Sequence, residues 1–400
     1  MLFRLEPNDI KRLFQFRQMA NKRTLFFLEA FLIGLIKLFF RVINNLLKTR
    51  KKIEVLPRIE QVFIVLTQNH SNISKFLIND LGKSNFLVIG HKNYLNTNYF
   101  LKWSDIEYHK PLNFSLKNLF YLEKGMTQDL DRAICLNQIL NGVDDIFKKI
   151  NPKNIIFFCD HDFISSIIQL YVNKFKNEIR TSYVQHGFVN KNFPPLSFDF
   201  YFSYGTFSSS QYNLDNRFKN CKIFNCGKVI EFKSFKKVNN VIGISLNTLD
   251  NEKKILELIM HLLTKYKFSI LIRPHPRSRL SKFFFEKLRN LNIEIDQSDT
   301  ILKYFQKITF NISSESSIHV DSLFYDIPSL YYPLSGIEKY FDYYGFLKSN
   351  LIEMYDFKKT EIPKINWSSE EFRKKAEKFL ANIFDKKNPS KIIINKILNG

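Results

Sequence analysis

The stretch Lys267-Phe-Ser-Ile-Leu-Ile-Arg-Pro-His-Pro276 reads as an apolar β-strand that stops abruptly in a guanidinium and an imidazole. Further on, Ile308-Thr-Phe-Asn-Ile-Ser-Ser-Glu-Ser-Ser317 repeats the plan, with a strand that ends in hydroxyls and feeds a helix. Arg273 supplies a planar fork of donors suited to phosphate oxygens. His275 stands between Pro274 and Pro276, whose rings fix the backbone around it. Ser313, Ser314, Ser316 and Ser317 would bring hydroxyls and backbone N–H groups to a helix N-terminus, where the dipole favours an anion. Two such strand edges lining one crevice would hold a nucleoside phosphate as it leaves a substrate.

Outward from this pair, apolar strands alternate with amphipathic helices. Upstream, the pattern predicts strands at 62–66, 86–89, 155–158, 182–184 and 200–203, with helices near 73–81, 128–149 and 163–176. That is an open α/β unit with a parallel sheet. A second set follows, with strands at 241–245, 270–272, 293–295, 309–312 and 329–331 and helices at 252–266, 282–291 and 317–325. The lysine-rich stretch 231–240 separates the sets and reads as a hinge. The expected organisation is a basic amphipathic segment over 1–56, an acceptor-side Rossmann-like domain over 57–232, a nucleotide-donor domain over 233–362, and a helical tail over 363–400 that packs back across the first domain.

Composition narrows the function. The chain has 400 residues, 45% of them apolar, enough for two packed cores. With 12 glycines and neither a G-x-G-x-x-G nor a G-x-x-x-x-G-K-[ST] run, a dinucleotide fingerprint and a P-loop are disfavoured. The 42 Phe accompany abundant Lys, Asn and Ile, a bias of AT-rich coding rather than a set of base-stacking platforms. A formal net charge of +22 seeks anions, whether nucleic acid, acidic lipid headgroups or acidic sugars. The basic residues are spread along the chain without a nucleic-acid-binding signature, so no nucleic-acid partner is expected. Four cysteines without C-x-x-C spacing read as free thiols of a reducing compartment. The first residues lack the order of a secretory signal, and a cytoplasmic location is expected.

Residues 1–60 carry thirteen Lys and Arg against five Asp and Glu. A helix over 25–47 gathers Lys37, Arg41, Asn44, Asn45 and Lys48 on one face, and spreads Leu28, Phe31, Leu32, Leu35, Phe39 and Ile43 over the other. Glu29, Lys37 and Arg41 argue against a transmembrane span. Such a helix either packs on its own domain or lies in the headgroup layer of an anionic membrane, here the inner face of the plasma membrane.

Two doubly wound Rossmann-like domains facing a cleft, with phosphate-gripping strand ends in the second, resemble the GT-B glycosyltransferases. Arg-Pro-His-Pro at 273–276 is similar to the His-Pro motif of bacterial sialyl-, polysialyl- and Kdo-transferases of capsule and lipooligosaccharide synthesis, and Ser313–Ser317 resembles their serine motif. The resemblance implies that His275, Ser313, Ser314, Ser316 and Ser317 contact the phosphate of a CMP-activated acidic sugar. Asp321-Ser-Leu-Phe-Tyr-Asp-Ile-Pro328 is similar to the Glu-Ala-x-x-x-Gly-x-Pro ending of GT-B donor domains, which implies that Asp321 reaches a ribose hydroxyl. The (Asp/Glu)-(Asp/Glu)-Gly motif of the sialyltransferases has no counterpart, and Asp144-Asp145-Ile146 is the nearest approach.

Two strand ends of the first domain offer a general base for a sugar hydroxyl. Cys159-Asp-His-Asp162 supplies Asp160 and Asp162, with Asp160 alternatively the cap of the next helix. Gln185-His-Gly187 brings His186 to a strand mouth, with Gly187 permitting a sharp turn; it resembles the His-Gly of capsule and teichoic-acid polymer transferases. Asn69 and His70 follow the first strand and could border the cleft. Asp-His-Asp also matches the Asp-x-Asp of metal-dependent transferases, but a CMP-sugar leaves as a monophosphate that Arg273, His275 and N–H groups can hold, so no metal or other cofactor is expected. The expected function is metal-independent, inverting transfer of an acidic sugar from a CMP-sugar to a glycan or glycolipid acceptor; the alternative is a CDP-glycerol or CDP-polyol phosphotransferase of teichoic-acid type.

Overall fold

The computed structural model describes residues 27–47, 59–82, 85–110, 130–159, 162–189, 197–212, 220–230, 240–276, 278, 280–338, 341–358, 369–385 and 388–399. Two all-parallel sheets carry the fold. The first contains β1 (Gln61–Ile64), β2 (Phe86–Gly90), β3 (Phe100–Lys102), β4 (Asn154–Phe157), β5 (Arg180–Val184), β6 (Phe200–Ser203) and β7 (Lys222–Asn225), in the order β3-β2-β1-β4-β5-β6-β7. The second contains β8 (Val241–Ser245), β9 (Ser269–Arg273), β10 (Glu294–Ile295), β11 (Phe310–Ser313), β12 (Ser329–Tyr331) and β13 (Glu353–Met354), in the order β10-β9-β8-β11-β12-β13.

The central strands are buried along their whole length, as their unbroken apolar runs require when helices cover both faces. The strand order reverses between β1 and β4 and again between β8 and β11. At such switch points the connections leave toward opposite faces, and a crevice opens beyond the carboxyl ends of the strands. Both reversals therefore mark where ligands are expected to sit.

The short edge strands β3, β7 and β13 are absent from the expected set, and the helix expected over 128–149 is two, Leu130–Ile134 and Leu136–Ile150. The hinge stretch 231–239 lies outside the described residues. The tail crosses back to the first sheet: helix Glu370–Phe379 packs on helix Thr206–Gln211, and helix Ser390–Asn399 on helix Gln68–Leu81. Ala381 N–H donates to the Tyr204 carbonyl at 2.7 Å, and Asn382 Nδ2 to that of Cys226 at 3.2 Å. Gly205 and Gly227 make room for this strap, since a Cβ on either would stand 2.5 Å from Lys378 O or 2.4 Å from Ala381 O.

The helix Phe27–Leu47 is attached by its charged side. Arg41, 3% exposed, pairs with Glu107 at 2.8 Å and Asp131 at 3.1 Å, and its plane lies over Tyr108. Burial opposes the guanidinium charge, but Glu107, Cys135 and Asp131 outweigh it and raise the pKa. Removing the cation alone would leave two buried carboxylates unneutralised. Arg41→Met should therefore lower stability by about 3–5 kcal/mol, read as a reduced denaturant midpoint, and adding Glu107→Gln and Asp131→Asn should restore most of it.

Candidate functional site

On the first sheet, β1, β4 and β5 run in register, so the chain leaves all three at one level. The helix Gln68–Leu81 starts at the Thr67 cap, whose hydroxyl accepts from His70 N–H. That cap turns the buried His70 ring back over the sheet, where Nδ1 accepts from Leu66 N–H at 3.3 Å. The neutral tautomer with hydrogen on Nε2 follows. The His186 ring meets it edge to face, 4.7 Å between centroids, and His70 also lies 5.8 Å from the Phe158 ring. Two histidines thus bracket the end of β4.

Gln185 holds His186 in place. Its buried amide donates to Gly187 O at 2.8 Å and Ser208 Oγ at 2.9 Å, while its oxygen accepts from Tyr201 OH at 2.9 Å and Tyr204 N–H at 2.7 Å. The turn needs no left-handed residue, and the conformational freedom expected of Gly187 goes unused. Asp162 is the cap of helix Phe163–Phe175, accepting from Ile164 and Ser165 N–H at 2.8 and 3.0 Å; Asp160 lies outside the described residues. Asp144 and Asp145 are taken up by Tyr171 and Lys148, and by His109, Lys110 and Lys149.

On the second sheet, Arg273 of β9, Ser245 of β8 and Ser313 of β11 are aligned across the ladder. The segments that follow β9 and β11 therefore emerge about 10 Å apart, two strand spacings, on one sheet edge. His275 is exposed there. The hydroxyl cluster divides into two kinds. Ser313 Oγ donates to Ser245 O at 2.7 Å inside the sheet, and Ser314 Oγ donates to Asp250 at 2.5 Å. Both are buried, and their hydroxyls are committed to these internal bonds. Ser316 and Ser317 are half-buried at the start of helix Ile318–Phe324, where Ser316 Oγ accepts from Ile318 N–H at 3.3 Å.

Two further candidates have partners within the protein. Arg273 acts as a strut: Nη1 pairs with Asp296 and donates to Ser298 O at 3.1 Å, and the guanidinium lies over Tyr304. Asp321 is buried against the Lys228 ammonium, an ion pair that joins the chain after β7 to the second sheet's helix.

A residue that sequence reasoning passed over holds the serine turn. His319 is fully buried, and its Nε2–H donates to Ser314 O at 2.8 Å because a carbonyl can only accept. Nδ1 then accepts from Ser329 Oγ at 2.7 Å. Ser329 Oγ in turn accepts from Asn311 Nδ2, whose amide oxygen receives Ser245 Oγ at 2.6 Å and Tyr304 OH at 3.0 Å. Asp250, whose carboxyl burial pushes up to about 6 against hydrogen bonds from Asn247 N–H and Ser314, closes the other side of the turn. The sequence signal was slight in both cases: a histidine between Ile318 and Val320 at the start of a helix, and an Asp five residues past the end of β8.

The two edges are tied together by aromatic rings. Phe188, two residues beyond His186, is buried in the second core with ring centroids 5.6 Å from Phe346 and 6.0 Å from Tyr344. Phe346 lies 5.8 Å from the His319 ring. The path His186, Phe188, Phe346, His319, Ser314 therefore links one strand end to the other through packed side chains.

No family model and no curated protein matches the sequence. Among solved structures, the chain is similar to the UDP-GlcNAc 2-epimerase from Neisseria meningitidis bound to UDP-GlcNAc (TM-score 0.51, 13% identity, 86% of this chain and 100% of that one) and to the calicheamicin glycosyltransferase CalG4 (0.53, 9%, 86% and 99%). It is also similar to the wall teichoic acid polymerase TagF with CDPG (0.45, 13%, 99% and 98%). The protein has the GT-B fold, and that fold serves an epimerase as well as transferases.

Burial lowers the His319 pKa from 6.5 to about 4. A depressed pKa means that the neutral ring stabilises the fold above pH 6.5 and that this contribution is lost as pH falls toward 4, up to about 3 kcal/mol. Chemical denaturation of wild type and His319→Gln across that window should show a steep acid limb in the first and a flattened one in the second.

Proposed function

We propose that the protein is a glycosyltransferase that moves an acidic sugar, of sialic acid or Kdo type, from a CMP donor to a glycan or glycolipid at the cytoplasmic face of the membrane, by direct displacement with inversion and without metal. The observation that supports this reading is the aromatic path through Phe188 and Phe346, which links the chain beside the His70–His186 pair to the ring that holds the serine turn. An acceptor hydroxyl in the crevice would attack the anomeric carbon and give its proton to His186. The bond from that carbon to the phosphate oxygen would break, with its electron pair leaving on CMP. His275, Ser316 and Ser317 would hold the departing phosphate, an interaction that strengthens as charge develops. His70 is the positioning residue: its Nδ1 is engaged by Leu66 N–H, and its ring edge limits how His186 can turn.

A metal is not required in this scheme because a monophosphate leaves with less charge than a diphosphate, and an imidazole N–H with hydroxyl donors can meet it. CMP release in excess EDTA should match that in its absence; loss of release, restored by manganese or magnesium, would overturn this part.

Thermal shift against CMP, CDP, UDP and GDP tests the donor class without knowledge of the acceptor. CMP should raise the midpoint most, and CMP-sialate or CMP-Kdo should release CMP. Preferential stabilisation by CDP with turnover of CDP-glycerol would replace this reading by polyol-phosphate transfer, and a response to UDP alone would remove the acidic-sugar assignment.

His275→Ala should abolish CMP release with the fold retained by circular dichroism, and His186→Ala should lower kcat by about 10²–10⁴. Ser316→Ala and Ser317→Ala should each raise the donor KM by the equivalent of about 1 kcal/mol. An unchanged rate in the His275 variant contradicts the scheme.

A further inference from the structure

In the helix Phe27–Leu47, Gly34 and Arg41 are buried and Leu38 is half-buried, and at about 100° per residue these three fall in one narrow arc. The opposite arc, roughly 160° wide on the same count, carries Leu32, Ile33, Leu35, Ile36, Phe39 and Phe40. All six are exposed, Phe39 at 62% and Phe40 at 58%. A helix on a water-facing surface ordinarily buries its apolar stripe and turns its charges outward. Here the attachment is reversed. Arg41 is locked to Glu107 and Asp131, so the helix cannot roll its apolar side inward without stranding buried charge.

Six contiguous large apolar side chains mark an interaction surface rather than the scattered exposure of ordinary proteins. Charge identifies the occupant. Lys37 is exposed at the rim of the apolar arc, Lys22 and Arg23 precede the helix in sequence, and Lys48, Arg50, Lys51 and Lys52 follow it. A second copy of the chain would bring the same +22 charge and the same basic flanks against these, which repel. An apolar face with an exposed lysine at its rim, in a stretch whose flanking sequence is basic, matches the boundary between headgroups and acyl chains of an anionic bilayer. No helix among the described residues is long and apolar enough to cross a membrane.

We propose that this exposed face docks the protein on an anionic lipid bilayer, with the helix in the plane of the interface and Arg41 directed away from the lipid. The inference rests on the membrane-face location proposed above and not on the identity of the donor.

The test is co-sedimentation of the full chain with vesicles of equimolar phosphatidylglycerol and phosphatidylcholine, and with vesicles of phosphatidylcholine alone. Binding to the anionic vesicles should be at least about tenfold stronger, and the double variant Phe39→Ser/Phe40→Ser should lose at least about tenfold with an unchanged thermal midpoint. Equal vesicle binding by variant and wild type overturns the proposal. So does an absence of vesicle binding together with a concentration-dependent dimer that the variant abolishes, which would make the occupant a second copy. CMP release in lipid-free solution is read separately on both proteins. Loss of vesicle binding in the variant supports the surface whether or not either protein turns over a CMP donor, so a failed donor assignment and a failed docking surface give different results.

Discussion

Phe188 fixes the relation between the two halves of this molecule. It leaves the end of β5 and buries its ring among Tyr204, Tyr344, Phe346 and Phe379, so a first-sheet loop becomes part of the second core. Aromatic side chains remove large apolar areas from water and prefer defined edge and offset contacts, so such a plug sets a position as well as contributing affinity. Because His186 is only two residues away, the same plug also limits where its half-buried imidazole can lie. The tail strap over Gly205 and Gly227 and the Lys228–Asp321 pair join the same two regions from other directions.

The second edge depends on a different kind of constraint. The serine turn is held from below by neutral, fully buried polar groups: His319, Ser329, Asn311, Ser245 and Tyr304. Each unmade bond in such a place costs a desolvation penalty, so a satisfied network favours one geometry over near alternatives. The outcome is a division of labour among the hydroxyls. Those at Ser313 and Ser314 hold the turn, and Ser316 and Ser317 stay half-buried at the start of the next helix. Arg273 makes a similar contribution through Asp296, tying β9 to the segment after β10.

The N-terminal helix obeys the same logic in reverse. A buried triad of Arg41, Glu107 and Asp131 is costly to desolvate, and well-packed apolar residues would stabilise the contact as well or better. What the triad adds is orientation, because only one rotation of the helix satisfies all three groups. The apolar face outward is then a consequence of where the charge is held.

Much of the fold was legible in the sequence. Unbroken apolar runs ending in polar groups marked nearly every central strand, since a parallel strand covered on both faces must be apolar throughout. Edge strands such as Lys222–Asn225 and Glu353–Met354 were not, because the first is exposed at both ends and the second at both residues, which leaves no such run. Of the candidate site, the residue types and their place at strand ends could be read directly from the chain: the histidine at 275, the serines at 313 to 317 and the histidine at 186. What could not be read is that Arg273 and Asp321 belong to ion pairs, that Ser313 and Ser314 are bonded internally, that His70 packs on His186, and that His319 holds the serine turn. The reason is that a side chain's partner is set by which other strand ends share its level and by which charges lie within reach, and both arise from contacts between residues far apart in the chain.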